Sequence, residues 1–222
     1  MTQRYEISVG IIGVGALGAA LGSQLSRANV EVVLANRRGR ASLENIANAM
    51  GPTVRAGTVK DAAEMEIVVL AIPWSAIPDV LGQIADWEGR ILVDPTNPPT
   101  DGAARQAKEA LSSSEIVARI APGAHVVKAF NTLPAEVIAS DPAVAGGRRV
   151  IFLSGDSLRA KREIERLLAR LGFAALDLGP LREGGLFQQP SRGPLPMVDL
   201  VRLATYRSAP DSFDVAAERW RG

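Results

Sequence analysis

The sequence has no cysteine and one histidine, His125. Disulfides, thiolate nucleophiles and thiolate metal sites are therefore excluded, as is a zinc site built on several histidines. Long apolar runs are also lacking: none reaches the ~18 residues that a membrane-spanning helix needs. The first stretch, MTQRYEISVGIIGVG, enters a strand pattern at once and lacks a signal-peptide layout. A soluble, cytoplasmic protein without a membrane partner is the expectation. A marked excess of charge of one sign is missing as well. The formal net charge is +1 with no long charge run, so the concentrated basic face of a nucleic-acid binder is absent and no nucleic-acid partner is expected.

What is present is globular. Hydrophobic residues make up 47% of 222, enough for a full core in one α/β domain with a short appendage. Short apolar runs at 6–12, 31–36, 66–73, 90–98, 125–132, 148–156 and 173–180 read as strands, with a weaker one at 53–57. Most are continuous rather than alternating, as in a sheet buried on both faces. Helical patterns lie between them at 16–28, 40–49, 75–85, 102–110 and 157–171. In the last, Asp156 or Ser157 is the cap, Leu158, Ile164, Leu167, Leu168 and Leu171 line one face, and Gly172 is the stop. The arginine-rich opposite face reads as solvated surface.

Alternating strands and helices with short connections imply a doubly wound, mainly parallel α/β sheet of the Rossmann type. Composition shifts after residue 180. QQPSRGPLP (188–196) is loop-like with three prolines, after which Met197, Leu200, Val201 and Ala204 form an apolar stripe at helical spacing. The expected organisation is a sheet domain over 1–180 and a short helical extension over 181–222. The extension is too small for its own core, and packs on the domain or on a second subunit.

Gly13-Val14-Gly15-Ala16-Leu17-Gly18 fits G-x-G-x-x-G, and it follows a strand and opens a helix, the context the motif requires. Gly13 makes the tight turn, Gly15 admits a pyrophosphate to the backbone, and Gly18 lets helix and strand pack closely. An NAD-type site carries an acid some 20 residues later to bind the ribose hydroxyls. Here the second strand ends in Asn36, Arg37 and Arg38. No carboxylate stands there to repel a 2′-phosphate, Asn36 can bond the ribose, and Arg37 offers a planar fork for phosphate, with Arg38 or Arg40 as a second cation. The cofactor read from this stretch is NADP(H).

Three further strand ends carry prolines and candidate walls for a ring: Ile72-Pro73-Trp74, Thr96-Asn97-Pro98 and Asn131-Thr132-Leu133-Pro134. The glycine loop, NRR, AIPW, DPTNP, VVKAFNT, SGD before a helix and DLGPLREGGLFQQ follow one another in that order. Together, over about residues 7–190, the chain resembles the family of coenzyme F420-dependent NADP oxidoreductases. The NADP-binding domain of the STEAP metalloreductases is a more distant relative of the same type.

The resemblance implies a Rossmann domain with a small C-terminal extension, commonly dimeric, so a homodimer is expected. It implies hydride transfer between a nicotinamide and a deazaflavin, coenzyme F420, as small-molecule acceptor. Carried over by position, Val14, Ala16 and Leu17 lie along the pyrophosphate, and Asn36, Arg37 and Arg38 hold the 2′-phosphate. Ile72, Pro73 and Trp74, with Asn97 and Pro98 nearby, flank the nicotinamide half, and Asn131, Thr132 and Leu133 meet the deazaflavin. Direct hydride transfer is carried by the cofactors, so no nucleophile or metal is required, and no residue is assigned a catalytic role. His125, at a strand start, reads as structural, and Asp94 as a loop-fixing acceptor. Lys128 either snorkels to an edge, pairs with a carboxylate or serves the site. The alternatives are an NADPH-dependent reductase of a flavin or a small carbonyl or imine, and a non-catalytic NADP-binding regulator.

Overall fold

The computed structural model describes residues 7–100, 111–190 and 192–203. The apolar runs form strands β1 (Ser8–Ile12), β2 (Glu31–Ala35), β3 (Val54–Ala56), β4 (Ile67–Leu70), β5 (Ile91–Asp94) and β6 (His125–Ala129). They pair in parallel in the order β3-β2-β1-β4-β5-β6. The first helix, α1 (Ala16–Arg27), crosses from β1 to β2, and α2 (Glu44–Met50), α3 (Val59–Ala63), α4 (Ile77–Leu81) and α5 (Ser113–Ile120) follow the later strands. Then come α6 (Ala135–Ala139), the two-residue β7 (Ala143–Val144), β8 (Gly147–Gly155), α7 (Leu158–Arg170), β9 (Ala174–Asp177), α8 (Leu181–Gln188) and β10 (Val201–Leu203). β8 runs antiparallel to β6 and carries β9 parallel to itself.

Two apolar layers cover the sheet. On one face Val9, Ile11 and Val127 meet Leu21 and Leu25 of α1, Ile138 of α6, and Ile164 and Leu168 of α7. On the other, Val68, Leu92 and Val126 meet Ile77 and Leu81 of α4, Val117 of α5 and Leu181 of α8. This two-sided burial is why the strands are continuously apolar. Among the described residues no helix is long and apolar enough to cross a membrane.

Several sequence expectations are corrected. The apolar stripe Met197, Leu200, Val201 is not a helix. Val201–Leu203 is the strand β10, antiparallel to residues 147–149 of β8. Pro194 and Pro196 withhold backbone donors, Met197 sits at φ 66, and the open edge of β8 supplies backbone partners that a short helix would have to find in itself. An Arg149–Asp199 ion pair at 2.9 Å pins the approach. The helix of the extension is α8 instead, begun after Pro180. In α7 Ser157 is the cap and Ile164, Leu167, Leu168 and Leu171 are buried, but Leu158 is exposed. At 3.6 residues per turn it points roughly 120° from the centre of the buried arc, and Lys161 lies within that arc, paired with Asp177 at 2.7 Å.

The helix over 113–120 adds to those expected from the sequence. Ser112 and Glu115 make a reciprocal capping box in front of it. Thr58 and Asp61 do the same for α3, and those hydrogen bonds hold the Asp61 carboxyl below its ordinary pKa. The patterns at 40–49 and 75–85 each begin with a 3-10 turn, Arg40–Leu43 and Trp74–Ala76, before α2 and α4. The helix expected at 102–110, and Ala204, lie outside the described residues.

Candidate functional site

Because β2, β1, β4, β5 and β6 are neighbours in that order and parallel, their carboxyl ends form one row. Adjacent ends are roughly 5 Å apart. The segments singled out in the sequence therefore stand side by side: Asn36–Arg38 after β2, the glycine loop after β1, Ile72–Trp74 after β4, Asn97–Pro98 after β5 and Asn131–Leu133 after β6. His125 begins β6 and so lies at the opposite end of the sheet.

The three motif glycines have different reasons to be glycine. Gly13 has φ +102, and a Cβ there would lie 2.1 Å from the Ala71 carbonyl oxygen. A Cβ on Gly18 would lie 2.0 Å from the Gly13 carbonyl oxygen. Both are demanded by the fold. Gly15 is not: its φ is −83 and a Cβ would meet nothing within 4 Å. Gly15 and Ala16 are exposed, Val14 and Leu17 half-buried. Gly15 is also the N-cap of α1, where no side chain caps the helix and no acid stands in the first turn. Among the described residues no side chain caps the first N–H groups of α1, and with the positive end of the helix dipole they make an arrangement suited to an anion.

Beside it, the Gly13 N–H donates to the Ala35 carbonyl, closing β1 onto β2. The Asn36 carboxamide is occupied by its own loop. Its Oδ1 accepts from the Arg38 N–H at 2.8 Å, and it is hydrogen-bonded to the Ser42 hydroxyl. Asn36 thus shapes the turn that presents the exposed Arg37 and Arg38, neither of which makes an ion pair among the described residues. On the other side of the glycine loop, Ile72 lies against Gly13, Pro73 is exposed, and Trp74 packs partly into the core.

The ends of β5 and β6 are tied together. Asn97 Nδ2 donates to the Asn131 carbonyl at 3.0 Å, and Asn131 Nδ2 donates to Asn97 Oδ1 at 2.9 Å. Asn131 Nδ2 also donates to the Gln188 carbonyl. Asn131, Thr132 and Leu133 are all buried, Leu133 within the main core. Asn97 and Pro98 are half-buried. Between Ala129 and Asn131 the chain turns at Phe130, whose φ of 64 is rare for a bulky residue.

Under this clasp lies a charge pair that sequence spacing alone could not assemble. Lys128 and Asp94 are both fully buried, 3.6 Å apart, an ion pair rather than a hydrogen bond. Asp94 accepts from the Thr96 N–H and hydroxyl and from the Ser114 hydroxyl. The Lys128 ammonium donates to the Thr96 carbonyl and the Ser113 hydroxyl. Gln188 donates to the Lys128 carbonyl, and Gln189 accepts from the Ser113 N–H. Burial pushes the Lys128 pKa below the ordinary lysine value, and Asp94 only partly offsets this. Lys128 does not snorkel. Gln188 and Gln189 close the DLGPLREGGLFQQ segment, which carries part of the family resemblance.

The profile of the family described as "NADP oxidoreductase coenzyme F420-dependent" matches residues 8–98, which hold the glycine loop, the arginines and the β4 and β5 ends. The hypothetical protein SMa0349 of Sinorhizobium meliloti has a similar structure, with TM-score 0.83 and 41% identity over 90% of this chain and 98% of that one. A protein of Arthrobacter sp. FB24 proposed to be an F420-dependent NADP-reductase is similar at TM-score 0.67 and 28% identity, over 79% and 86%. Metalloreductase STEAP3 of Rattus norvegicus is 29% identical over 78% of this chain and 34% of its own. The chain thus spans about a third of the length of the curated relatives it matches.

Proposed function

We propose that the chain, whose residues 8–98 match the family of coenzyme F420-dependent NADP oxidoreductases, binds NADP(H) along the row of strand ends and moves hydride between the nicotinamide and a deazaflavin. The carrying observation is Gly15, a position where folding does not require glycine and where the missing side chain leaves the α1 N-terminus open to a pyrophosphate. Arg37, with Arg38 beside it, recognises the 2′-phosphate from the turn that Asn36 and Ser42 hold. Val14, Ala16 and Leu17 line the pyrophosphate, Ile72, Pro73, Trp74, Asn97 and Pro98 the nicotinamide half, and Asn131, Thr132 and Leu133 the acceptor half. The bound nicotinamide supplies or receives the hydride. The chain's own residues bind and orient the two rings and exclude water.

Purified protein mixed with NADPH and oxidised coenzyme F420 should bleach the deazaflavin absorbance, and NADPH should be required. No bleaching, with NADPH still bound tightly in a titration, would discard the deazaflavin and move the acceptor to flavins or small carbonyls and imines. No turnover with any of these would leave a nucleotide-binding regulator. Arg37→Ala tests the other half of the reading. It should weaken NADPH by about 1.5–3 kcal/mol through loss of a charge-assisted contact, roughly 10- to 150-fold, and leave NADH affinity nearly unchanged. An equal loss for both nucleotides in a binding titration would remove Arg37 from the 2′-phosphate.

A further inference from the structure

The Lys128–Asp94 pair takes no part in the binding roles above, yet it underlies the half of the row where the acceptor is placed. A buried ion pair contributes little net stability over apolar groups of the same shape. Its consequence is geometric, and here its bonds have clear destinations. Asp94 holds Thr96, and Lys128 holds the Thr96 carbonyl, so the chain leaving β5 is gripped from both charges just before Asn97. Ser113 and Ser114 join that grip to the start of α5. Gln188 of α8 bonds the Lys128 carbonyl through its side chain and the Asn131 carboxamide through its backbone. The segment it braces contains Phe130 in the left-handed region, a conformation that persists only where surrounding contacts over-determine it. The clasp also keeps one acceptor uncommitted, since the buried Asn131 Oδ1 has no donor among the described residues.

We propose that Lys128 is a positioning residue for hydride transfer: with Asp94 it locks the loops after β5 and β6, and through the Asn97–Asn131 clasp it sets where the acceptor ring lies against the nicotinamide. The proposal rests on the hydride-transfer reading. It assigns Lys128 no proton transfer and no contact with either ring.

The test is the full-length double variant D94N/K128M. It removes both charges, leaves neither unpaired, and keeps an acceptor oxygen for Thr96. It should fold, with its melting curve and circular dichroism retained, and still bind NADPH. With NADPH and coenzyme F420, kcat should fall by ~100-fold, the scale of an ångström-sized misplacement, a much larger change than that in KM for NADPH, which is held mainly by the glycine loop and Arg37. Wild-type kcat in a folded D94N/K128M protein would overturn the proposal. If that variant does not fold, Ser113→Ala removes one ammonium contact and keeps the pair. A smaller fall in kcat, again exceeding the change in NADPH KM, is then expected, and an unchanged kcat would overturn the proposal. Should the wild type itself fail to bleach coenzyme F420, the acceptor reading falls on its own, and Lys128 is judged by hydrogen exchange in the NADPH complex. Faster exchange confined to 94–97 and 128–133, with 13–18 unaffected, would support the lock, and unchanged exchange in those segments would remove it.

Discussion

Lys128→Met should lower the free energy of unfolding by about 3–5 kcal/mol, the usual cost of leaving a buried charge without its partner. Asp94 would be that charge, wholly inside the protein, with only Thr96 and Ser114 to hold it. Urea unfolding at neutral pH measures the loss, and adding D94N should recover most of it, because the second substitution removes the stranded carboxylate. A full loss persisting in the double variant would mean that the packing of the lysine stem, rather than its charge, is what Asp94 needs. The pH dependence has a definite sign. The folded-state pKa of Lys128 lies below its unfolded value of 10.5. Between the two the unfolded chain binds more protons, so this group makes stability rise with pH up to about 10.5 and level off above it. The difference in slope between wild type and Lys128→Met over alkaline pH isolates that contribution. A wild-type curve parallel to the variant's would show the lysine to be unperturbed.

Gly15→Val should have the largest effect on nucleotide binding and little effect on the fold. The backbone at φ −83 suits any residue, and no described residue lies within 4 Å of the Cβ a side chain would add. That space is where the pyrophosphate reading puts the ligand. Losing backbone contacts to a charged group costs about 1.5–3 kcal/mol each, so NADPH affinity should fall by at least ~100-fold with the melting temperature nearly unchanged. The same change at Gly18 should instead damage folding, since its Cβ would lie 2.0 Å from the Gly13 carbonyl oxygen. A titration and a melting curve on the two variants separate ligand demand from packing demand. Wild-type NADPH affinity in Gly15→Val would remove the glycine loop from the proposed site.

Why the two glycines differ is a matter of range. That Gly13–Gly18 lies between a strand and a helix follows from neighbours a few residues away, and so does the burial of β1, β2, β4, β5 and β6 on both faces. Apolar runs of that length cannot be solvated, and short connections leave few ways to arrange them. The parallel order then brings their ends into one row. Gly18 is required by the Gly13 carbonyl, five residues away, whereas the steric demand on Gly13 comes from Ala71, 58 residues beyond it, and no local pattern carries that second contact.

The tail shows the opposite failure. Met197, Leu200 and Val201 have helical spacing, but spacing describes only what a segment could bury if it were a helix. Prolines on its N-terminal side and an unfilled edge on β8 decided for a strand, because backbone donors and acceptors must be paired somewhere. Leu158 was drawn into a helix face by its identity, while the arc that meets the sheet has Lys161 there instead, neutralised by Asp177. The capping boxes at Thr58 and Ser112, by contrast, are local, each made by residues three apart.

By itself, then, the sequence determined the alternation of strands and helices, the glycine loop at the first strand end, and the replacement of an acid by Asn36-Arg37-Arg38 at the second, because each depends on residues within one or two turns of chain. Tertiary structure alone decided that Lys128 meets Asp94, that Asn97 clasps Asn131, and that Gln188 braces both. Those partners are 34 or more residues apart, and a buried charge or amide is satisfied by whichever group the fold carries to it.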